Sequence, residues 1–461
     1  MATNRTIPRL LLAGVSSGCG KTTVSCAVLQ ALVNRGVRTA AFKCGPDYID
    51  PMFHSRAIGV PSRNLDPFFM EENTLRYLLS NNAEGFSLAV VEGVMGYYDG
   101  AARPDRPPQN EYYSTHQVAA ATGTPTILVI NGKGMSQSIL AVLHGFLTYR
   151  PDSCVVGVIL NQVSSGTYAS IRRAIEAEFQ GRVRAYGYLP KLPTELLFES
   201  RHLGLITADE VADLRRKLQQ LAAQAEQTLD IDAMLALAGQ AGPIVCTQPV
   251  VPVCSAPVRI AVAQDRAFCF YYQDSLALLE QMGAQLVPFS PLEDRALPAG
   301  IDGMLLGGGY PELYADPLSA NVSMRASIRS ALTAGLPCVA ECGGFLYLNR
   351  TLDGREMVGF LGGDCANAGR LSRFGYVTLT ARQDNLLCAA GAQIRGHEFH
   401  YYDCTQNGDA YRAERAGGRG WDCVVATDRL YAGFPHLHFY ANPAFALRFC
   451  EACADRKRRL S

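Results

Sequence analysis

Neither sign of charge is in excess in this chain of 461 residues: 42 Lys and Arg are matched by 42 Asp and Glu. That balance argues against nucleic acid or an anionic membrane as the main partner, since either calls for a basic face. It leaves room for a local basic pocket that takes a small polyanion. Long apolar runs are also missing. No stretch approaches the ~18 residues of a membrane span, and Leu10–Ala13 is too short for a signal-peptide core and serves better as a first strand. Nothing repeats at solenoid spacing. The 15 cysteines are odd in number and follow no framework spacing, so they read as reduced thiols of a cytoplasmic protein. A single CxxC, Cys450 and Cys453, has no second pair to complete a zinc site and reads as packing on a helix face.

What is present is a folded α/β chain. Hydrophobic residues make up 48% with Gly and Pro interspersed, and the length exceeds what one core usually serves, giving about 2–3 domains as the prior. From Arg9 to about Gln227 short apolar runs alternate with helical patterns, the mark of βαβ units around a parallel sheet. The expected strands are Leu10–Ala13, Val37–Lys43, Leu88–Glu92, Thr126–Ile130, Val155–Leu160 and Val183–Tyr188. Residues 1–235 therefore form one domain. Residues 236–257 are rich in Ala, Gly and Pro and read as a linker. A second α/β set, residues 258–461, begins with Arg259–Ala263 and continues with strands near Gln285–Phe289, Gly303–Leu306 and Pro337–Ala340.

The first strand runs into Gly14-Val-Ser-Ser17-Gly18-Cys19-Gly20-Lys21-Thr22-Thr23 and then into a helical pattern. Strand, glycines, Lys-Thr and helix in that order make a phosphate cradle. The glycines turn backbone N–H groups inward, Lys21 supplies a point charge, and Thr22 offers a hydroxyl to Mg²⁺. The outer glycine stands seven residues before the lysine rather than six, a longer form similar to the loop of dethiobiotin synthetase. The second strand leads into Lys43-Cys-Gly-Pro-Asp47-Tyr-Ile-Asp50-Pro51, and the third ends in Val90-Val-Glu92-Gly-Val-Met-Gly-Tyr-Tyr-Asp99. Both lie at the carboxyl edge of the sheet, where open α/β sheets bind ligands. Asp47 and Glu92 are the candidate Mg²⁺ ligands, while Asp50 and Asp99 face either metal or substrate. Asp beside Pro is also a common turn former. Asn161, closing the fifth strand, either reads an adenine edge or caps the next turn.

In the second half two stretches carry chemistry. Leu305-Leu-Gly-Gly308-Gly-Tyr-Pro-Glu312 ends a strand in three glycines whose free N–H groups face an anionic oxygen. Val339-Ala-Glu-Cys342-Gly343-Gly344 turns sharply from strand to helix, with small residues around a cysteine as a nucleophile elbow demands. A cysteine nucleophile needs a base from elsewhere in the fold. His397, His400, His436 and His438 are the candidates, and the loop position of His436 favours it.

These motifs, together with Arg201-His202-Leu-Gly-Leu, Arg373-Phe-Gly-Tyr, Gly-His-Glu-Phe-His and Pro-His-Leu-His-Phe, run in an order that resembles the cobyrinic acid a,c-diamide synthases over nearly the whole chain. The resemblance implies a P-loop parallel-sheet ATPase domain of dethiobiotin-synthetase type fused to a flavodoxin-like type 1 glutamine amidotransferase domain. It implies Cys342 as glutaminase nucleophile, His436 as its activator, and Gly308 and Gly343 as oxyanion donors. It implies ATP and Mg²⁺ on the phosphate loop, and substrate carboxylates made reactive as acyl phosphates. Glutamine and cobyrinate or a related tetrapyrrole are the implied partners, a homodimer is left open, and Arg201, His202, Arg370 and Arg373 are candidates for the corrin's acid arms. One departure stands out: ordinary type 1 amidotransferases carry a Glu two residues after the catalytic His, and here that place is His438. The third triad member is therefore undefined.

Nickel-sirohydrochlorin and sirohaem are the rival macrocycles for the same chemistry. Cobyric acid synthase is set aside because its resemblance would not bring the Gly-Pro-Asp-Tyr-Ile-Asp-Pro loop. A partitioning-type ATPase needs a second Lys where this chain has Ser16, and has no use for Cys342.

Overall fold

A computed structural model describes residues 2–103, 111–196 and 208–460. The chain forms two compact units, Met1–Pro249 and Val250–Ser461.

The first unit is built on seven parallel strands: β1 (Arg9–Gly14), β2 (Thr39–Cys44), β3 (Ser62–Leu65), β4 (Leu88–Glu92), β5 (Thr126–Asn131), β6 (Val155–Asn161) and β7 (Arg184–Leu189). Their order is β3-β2-β4-β1-β5-β6-β7. Strands buried on both faces read as continuous apolar runs, and β1 and β4 are buried at every position. Helix α1 (Lys21–Asn34) is buried nearly all round because it lies between the sheet and the helix Ala208–Thr228, with Val24, Val28 and Leu32 in one core with Leu218, Leu221 and Ala225. The edge strand β3 has no apolar alternation and is not foreseen by the sequence pattern. Polar bonds hold its place: Asn64 donates its side-chain N–H to the carbonyls of Gly45 and Asp47 at 2.9 and 2.7 Å. That pins the loop that carries Asp47.

The stretch expected as a linker, 236–257, contains ordered structure. The helix Ile231–Gly239 runs into it, and Ile244–Thr247 pairs antiparallel with Ala2–Arg5. A period of two explains the strand, with Ile244 and Cys246 buried and Val245 and Thr247 exposed.

The second unit has five parallel strands, β8 (Val258–Ala263), β9 (Ala284–Phe289), β10 (Gly303–Leu306), β11 (Cys338–Glu341) and, later in the chain, Leu430–Gly433. Between them the chain builds an antiparallel sheet from β12 (Arg373–Ala381), β13 (Gln393–His400), β14 (Tyr411–Glu414) and β15 (Gly420–Cys423). The short β16 (Val425–Ala426) edges the parallel sheet beside β17 (Leu430–Gly433), and β18 (His436–Leu437) joins β13 at the edge of the antiparallel one. The two sheets meet through the turn from β17 to β18. Cys450 and Cys453 are fully buried on the last helix, Pro443–Leu460, as packing residues.

Arg9 ties the start of β1 to its surroundings. Its buried guanidinium donates to the carbonyls of Ile7, Thr122, Gly123 and Gly242 at 2.7–3.1 Å and to the Thr124 hydroxyl at 3.2 Å. Burial lowers its pKa to about 10. Arg9→Met strands these acceptors, at about 3 kcal/mol. Thermal unfolding is expected to show a melting point roughly 6–12 °C lower. The exposed helix pair Arg172–Glu176 is the control, with Arg172→Ala expected to cost under about 0.5 kcal/mol.

Candidate active sites

The phosphate loop connects β1 to α1 as its sequence suggests. Ser16, Ser17 and Gly18 are exposed at its tip, Cys19 is buried, and Gly20 caps α1 in the left-handed region at φ 94°. A side chain at Gly20 is excluded twice, by that φ and by overlap with the Asn161 side-chain nitrogen. Asn161 donates from that nitrogen to the Cys19 carbonyl at 2.9 Å. Its amide thus braces the loop. Lys21, Thr22 and Thr23 open the helix, with Lys21 buried and the two threonines half-buried.

Beside the loop lies a buried cluster of charge. Glu92 is only 1% exposed. Its Oε1 accepts from the Thr22 hydroxyl at 2.9 Å and from Lys43 Nζ at 3.0 Å, and His54 Nε2 stands 3.2 Å from its Oε2. Lys43, also buried, reaches Asp50 at 2.5 Å, Asp47 at 4.0 Å and the Gly93 carbonyl at 3.2 Å. Burial alone would neutralise these groups, but each finds an opposite charge. The carboxylates of Asp50, Glu92 and Asp47 outweigh desolvation and hold Lys43 well above its usual value. Burial likewise opposes the charge on Glu92, yet Lys43 and His54 hold its carboxyl far below the ordinary range. Asp50 goes the other way: burial, with Asp47 and Glu92, raises it to about 7 against the pull of Lys43.

Asp47 accepts from the backbone N–H groups of Ile49 and Asp50, which makes it a turn former as well as a member of the cluster. Asp99 is exposed and accepts from the Gly96 N–H at 3.0 Å, closing the turn after β4. Among the described residues no three His, Cys, Asp or Glu are grouped to hold a metal ion by themselves. The oxygen donors of Thr22, Glu92 and Asp47 suit a hard divalent cation that takes its remaining ligands from phosphate. Lys43 and His54 were not singled out by the sequence reading. A buried lysine closing an apolar strand ahead of two aspartates was the available signal.

In the second unit, Cys342 sits at the turn between β11 and α2 (Gly343–Leu348), with φ 46° and ψ −102°. A non-glycine residue there is strained, as at a nucleophile elbow. It is held by its N–H to the Gly433 carbonyl at 2.8 Å and by the Gly344 N–H to the Gly307 carbonyl at 2.9 Å. His436 lies buried against it. A Cβ at Gly308 would overlap the imidazole Cε1, so the glycine lets that edge of the ring come close to the backbone. A Cβ at Gly343 would stand 3.2 Å from the Gly309 nitrogen, which places the two glycine segments side by side. Glu341, immediately before Cys342, approaches His436 Nδ1 at 3.6 Å. Burial alone would lower the His436 value; the Cys342 thiol group and Glu341 outweigh it and raise it to about 10.

The other histidines are placed differently. His397 is the cross-strand partner of His436, and burial, then His436, lower it to about 3. His400 stacks on Phe434 at 3.8 Å and reaches Glu398 at 3.1 Å. His438 is buried against Tyr272 and held at about 3 by desolvation. Arg370 is exposed, and the Arg373 guanidinium lies over the Trp421 ring at 5.6 Å. Arg201 and His202 lie outside the described residues.

Residues 10–202 match the CobQ/CobB/MinD/ParA nucleotide binding domain, and residues 259–444 match the CobB/CobQ-like glutamine amidotransferase domain. A nucleotide-binding unit joined to a glutaminase unit defines a ligase that amidates with glutamine as nitrogen donor. The chain belongs to the cobyrinate a,c-diamide synthase family. It is 37% identical over 441 residues to the protein of that name from Clostridium acetobutylicum, covering 95% of this chain and 98% of that one. The protein of that name from Streptococcus sanguinis is 40% identical over 443 residues, with 94% and 96% covered. That from Priestia megaterium is 36% identical over 460 residues, with 98% of each covered.

Two outcomes follow from these geometries. Gly20→Ala is expected to weaken ATP binding roughly tenfold to a hundredfold by calorimetry, for a backbone strain of ~1–3 kcal/mol at the loop. Retained affinity would show that the close approach of Asn161 is dispensable. For pH, His436 is raised from 6.5 to about 10, so its contribution to stability is complete below 6.5 and is lost as pH rises through 10. Cys342→Ala removes a main cause of that shift. Its unfolding midpoint, relative to the unaltered protein, is therefore expected to change between pH 7 and pH 10, and a constant difference would contradict the pairing.

Proposed function

We propose that this chain converts the a and c side-chain carboxylates of cobyrinate, a cobalt corrinoid, to carboxamides in cobalamin biosynthesis, consuming ATP and glutamine in the cytoplasm. The observation that carries the reading is the pairing of Cys342 with His436 in a chain that also holds Thr22, Lys43 and Glu92 beside a phosphate loop. Relatives named for this reaction match both units at 36–40% identity, and the fifteen free thiols suit a reducing compartment.

In the glutaminase half, the Cys342 sulfur attacks the glutamine side-chain carbonyl. His436, which as the imidazolium already holds the proton of the Cys342 thiol, delivers it to the departing ammonia. N–H groups around Gly308 and Gly343 receive the tetrahedral oxyanion, each donor contributing roughly 3–4 kcal/mol. Water then releases glutamate from the thioester.

In the synthetase half, a substrate carboxylate oxygen attacks the γ-phosphorus of ATP, giving an acyl phosphate and ADP. Ammonia adds to that carbonyl, and phosphate leaves. Lys21 and the loop N–H groups bind the transferring phosphate, and Lys43 holds Asp50 and Glu92 in place. Thr22, Glu92 and Asp47 would hold Mg²⁺, which when bound offsets charge on the phosphates and leaving group. Arg201, His202, Arg370, Arg373 and Asp99 remain proposed contacts for the macrocycle.

Turnover with defined tetrapyrroles tests this reading. Cobyrinate with ATP, Mg²⁺ and glutamine is expected to gain two carboxamides, each about one mass unit lighter than the acid it replaces. Cys342→Ala is expected to lose glutamine use and keep ammonia use. Faster amidation of nickel-sirohydrochlorin or sirohaem would overturn the choice of substrate, and glutamine use surviving in Cys342→Ala would overturn the nucleophile.

A further inference from the structure

The place two residues after His436, which holds the orienting glutamate in ordinary type 1 amidotransferases, is occupied by His438. That imidazole is wholly buried against Tyr272, and burial keeps it neutral. It cannot supply the negative charge that would balance an imidazolium at His436. The fold offers that charge from elsewhere.

Strands β11 and β17 run parallel in a register that sets Glu341 beside Gly433. Three residues beyond Gly433 the chain reaches His436, so the turn between them brings the ring back over the end of β11. The Glu341 Oε1 accepts from the Leu437 N–H at 3.2 Å, and its Oε2 stands 3.6 Å from His436 Nδ1. One carboxylate thus holds both the backbone that follows the histidine and the histidine ring. Catalytic hydrogen bonds are often longer than ideal without substrate, so 3.6 Å is a distance that tightens. With Nδ1 toward Glu341, Nε2 on the opposite side of the ring is left for the Cys342 thiol. Tyr431 is pushed up by burial and then by the Glu341 charge, which also acts on Tyr271. Glu341 is itself buried, so its charge acts at low dielectric.

We infer that Glu341, the residue directly before the nucleophile, is the positioning residue for His436 and stands in for the triad acid displaced by His438. The nucleophile and the orienter are then neighbours in the chain. The elbow that sets Cys342 against His436 also turns the preceding carboxylate toward the far side of the base. The inference rests on the reading of Cys342 as glutaminase nucleophile.

Glu341→Gln and Glu341→Asp in the full chain test it, with glutamine-driven and ammonia-driven synthesis measured side by side. Glu341→Gln is expected to lower kcat with glutamine a hundredfold or more, as loss of a triad orienter does. KM for glutamine should move less than threefold and ammonia-driven synthesis should stay unchanged. The groups facing His436 are Cys342 and Glu341 from the elbow and His397 from β13, with His438 on its own segment. Removing the Glu341 charge lowers the His436 value, so the alkaline limb of the glutaminase pH profile should shift to lower pH. Glu341→Asp, which keeps the charge but retracts it, should recover part of kcat and of the profile.

Glutamine turnover within threefold of the unaltered protein in Glu341→Gln overturns the inference, as does a loss with an unmoved pH profile. If Glu341→Gln does not fold, Glu341→Asp decides: an unaltered kcat and profile overturn the inference, and a lowered kcat with an acid-shifted limb supports it. Failure of the nucleophile reading is distinguished by Cys342→Ala, which would then retain glutamine use.

Discussion

A carboxylate buried at the end of a parallel strand cannot remain charged without opposite charge or hydrogen bonds around it. Glu92 is in that position, and much of the nucleotide-binding unit is arranged to meet its demand. Thr22 comes from the helix after the phosphate loop, Lys43 from the neighbouring strand, and His54 from the short helical stretch beyond it. Each of these elements is thereby tied to the carboxyl edge of the sheet. Because Lys43 also holds Asp50 and approaches Asp47, the three acids are held together without collapsing onto one another. The cluster gathers carboxylate oxygens beside the phosphate loop, the kind of donor a hard divalent cation takes.

The amidotransferase unit solves a different problem, that of bringing a thiol and an imidazole into contact inside a protein. Strain is concentrated at Cys342, where φ is positive, and space is made at Gly308, where the ring edge comes close to the backbone. Gly343 and Gly344 follow the cysteine, and Gly307 and Gly309 flank Gly308, so the backbone can pack closely at both places. The antiparallel sheet of β12 to β15 with β18 then carries His436 to the elbow, with His397 opposite it in the adjoining strand. Of the four candidate histidines, one is drawn to the thiol and the other three serve the interior through ring stacking, burial or a hydrogen bond to Glu398.

Much of this was legible in the chain. The parallel strands of the first unit are apolar on both faces and announce themselves, whereas β3, with Ser62, Arg63 and Asn64, has no apolar rhythm and is held by side-chain bonds to a distant loop. The antiparallel sheet is not among the strands expected from the sequence; Gly375, Gly396 and Gly420 interrupt its pattern of alternation. Asn161 was read either as a nucleotide contact or as a cap. It turned out to face Cys19, a residue that lies far from it in sequence.

The order of motifs by itself determined the nucleotide-binding and amidotransferase parts, the phosphate loop, the sharp turn at Cys342 and the nitrogen-transfer chemistry, because glycine spacing and strand-to-helix turns are local constraints written in consecutive residues. Only the tertiary structure decided which groups share a charge. Lys43 with Glu92, His54 with Glu92, and Glu341 with His436 are pairs from different strands or turns. Their partnership is set by sheet register and by the cost of leaving a buried charge alone, and neither quantity is visible along a single line of residues.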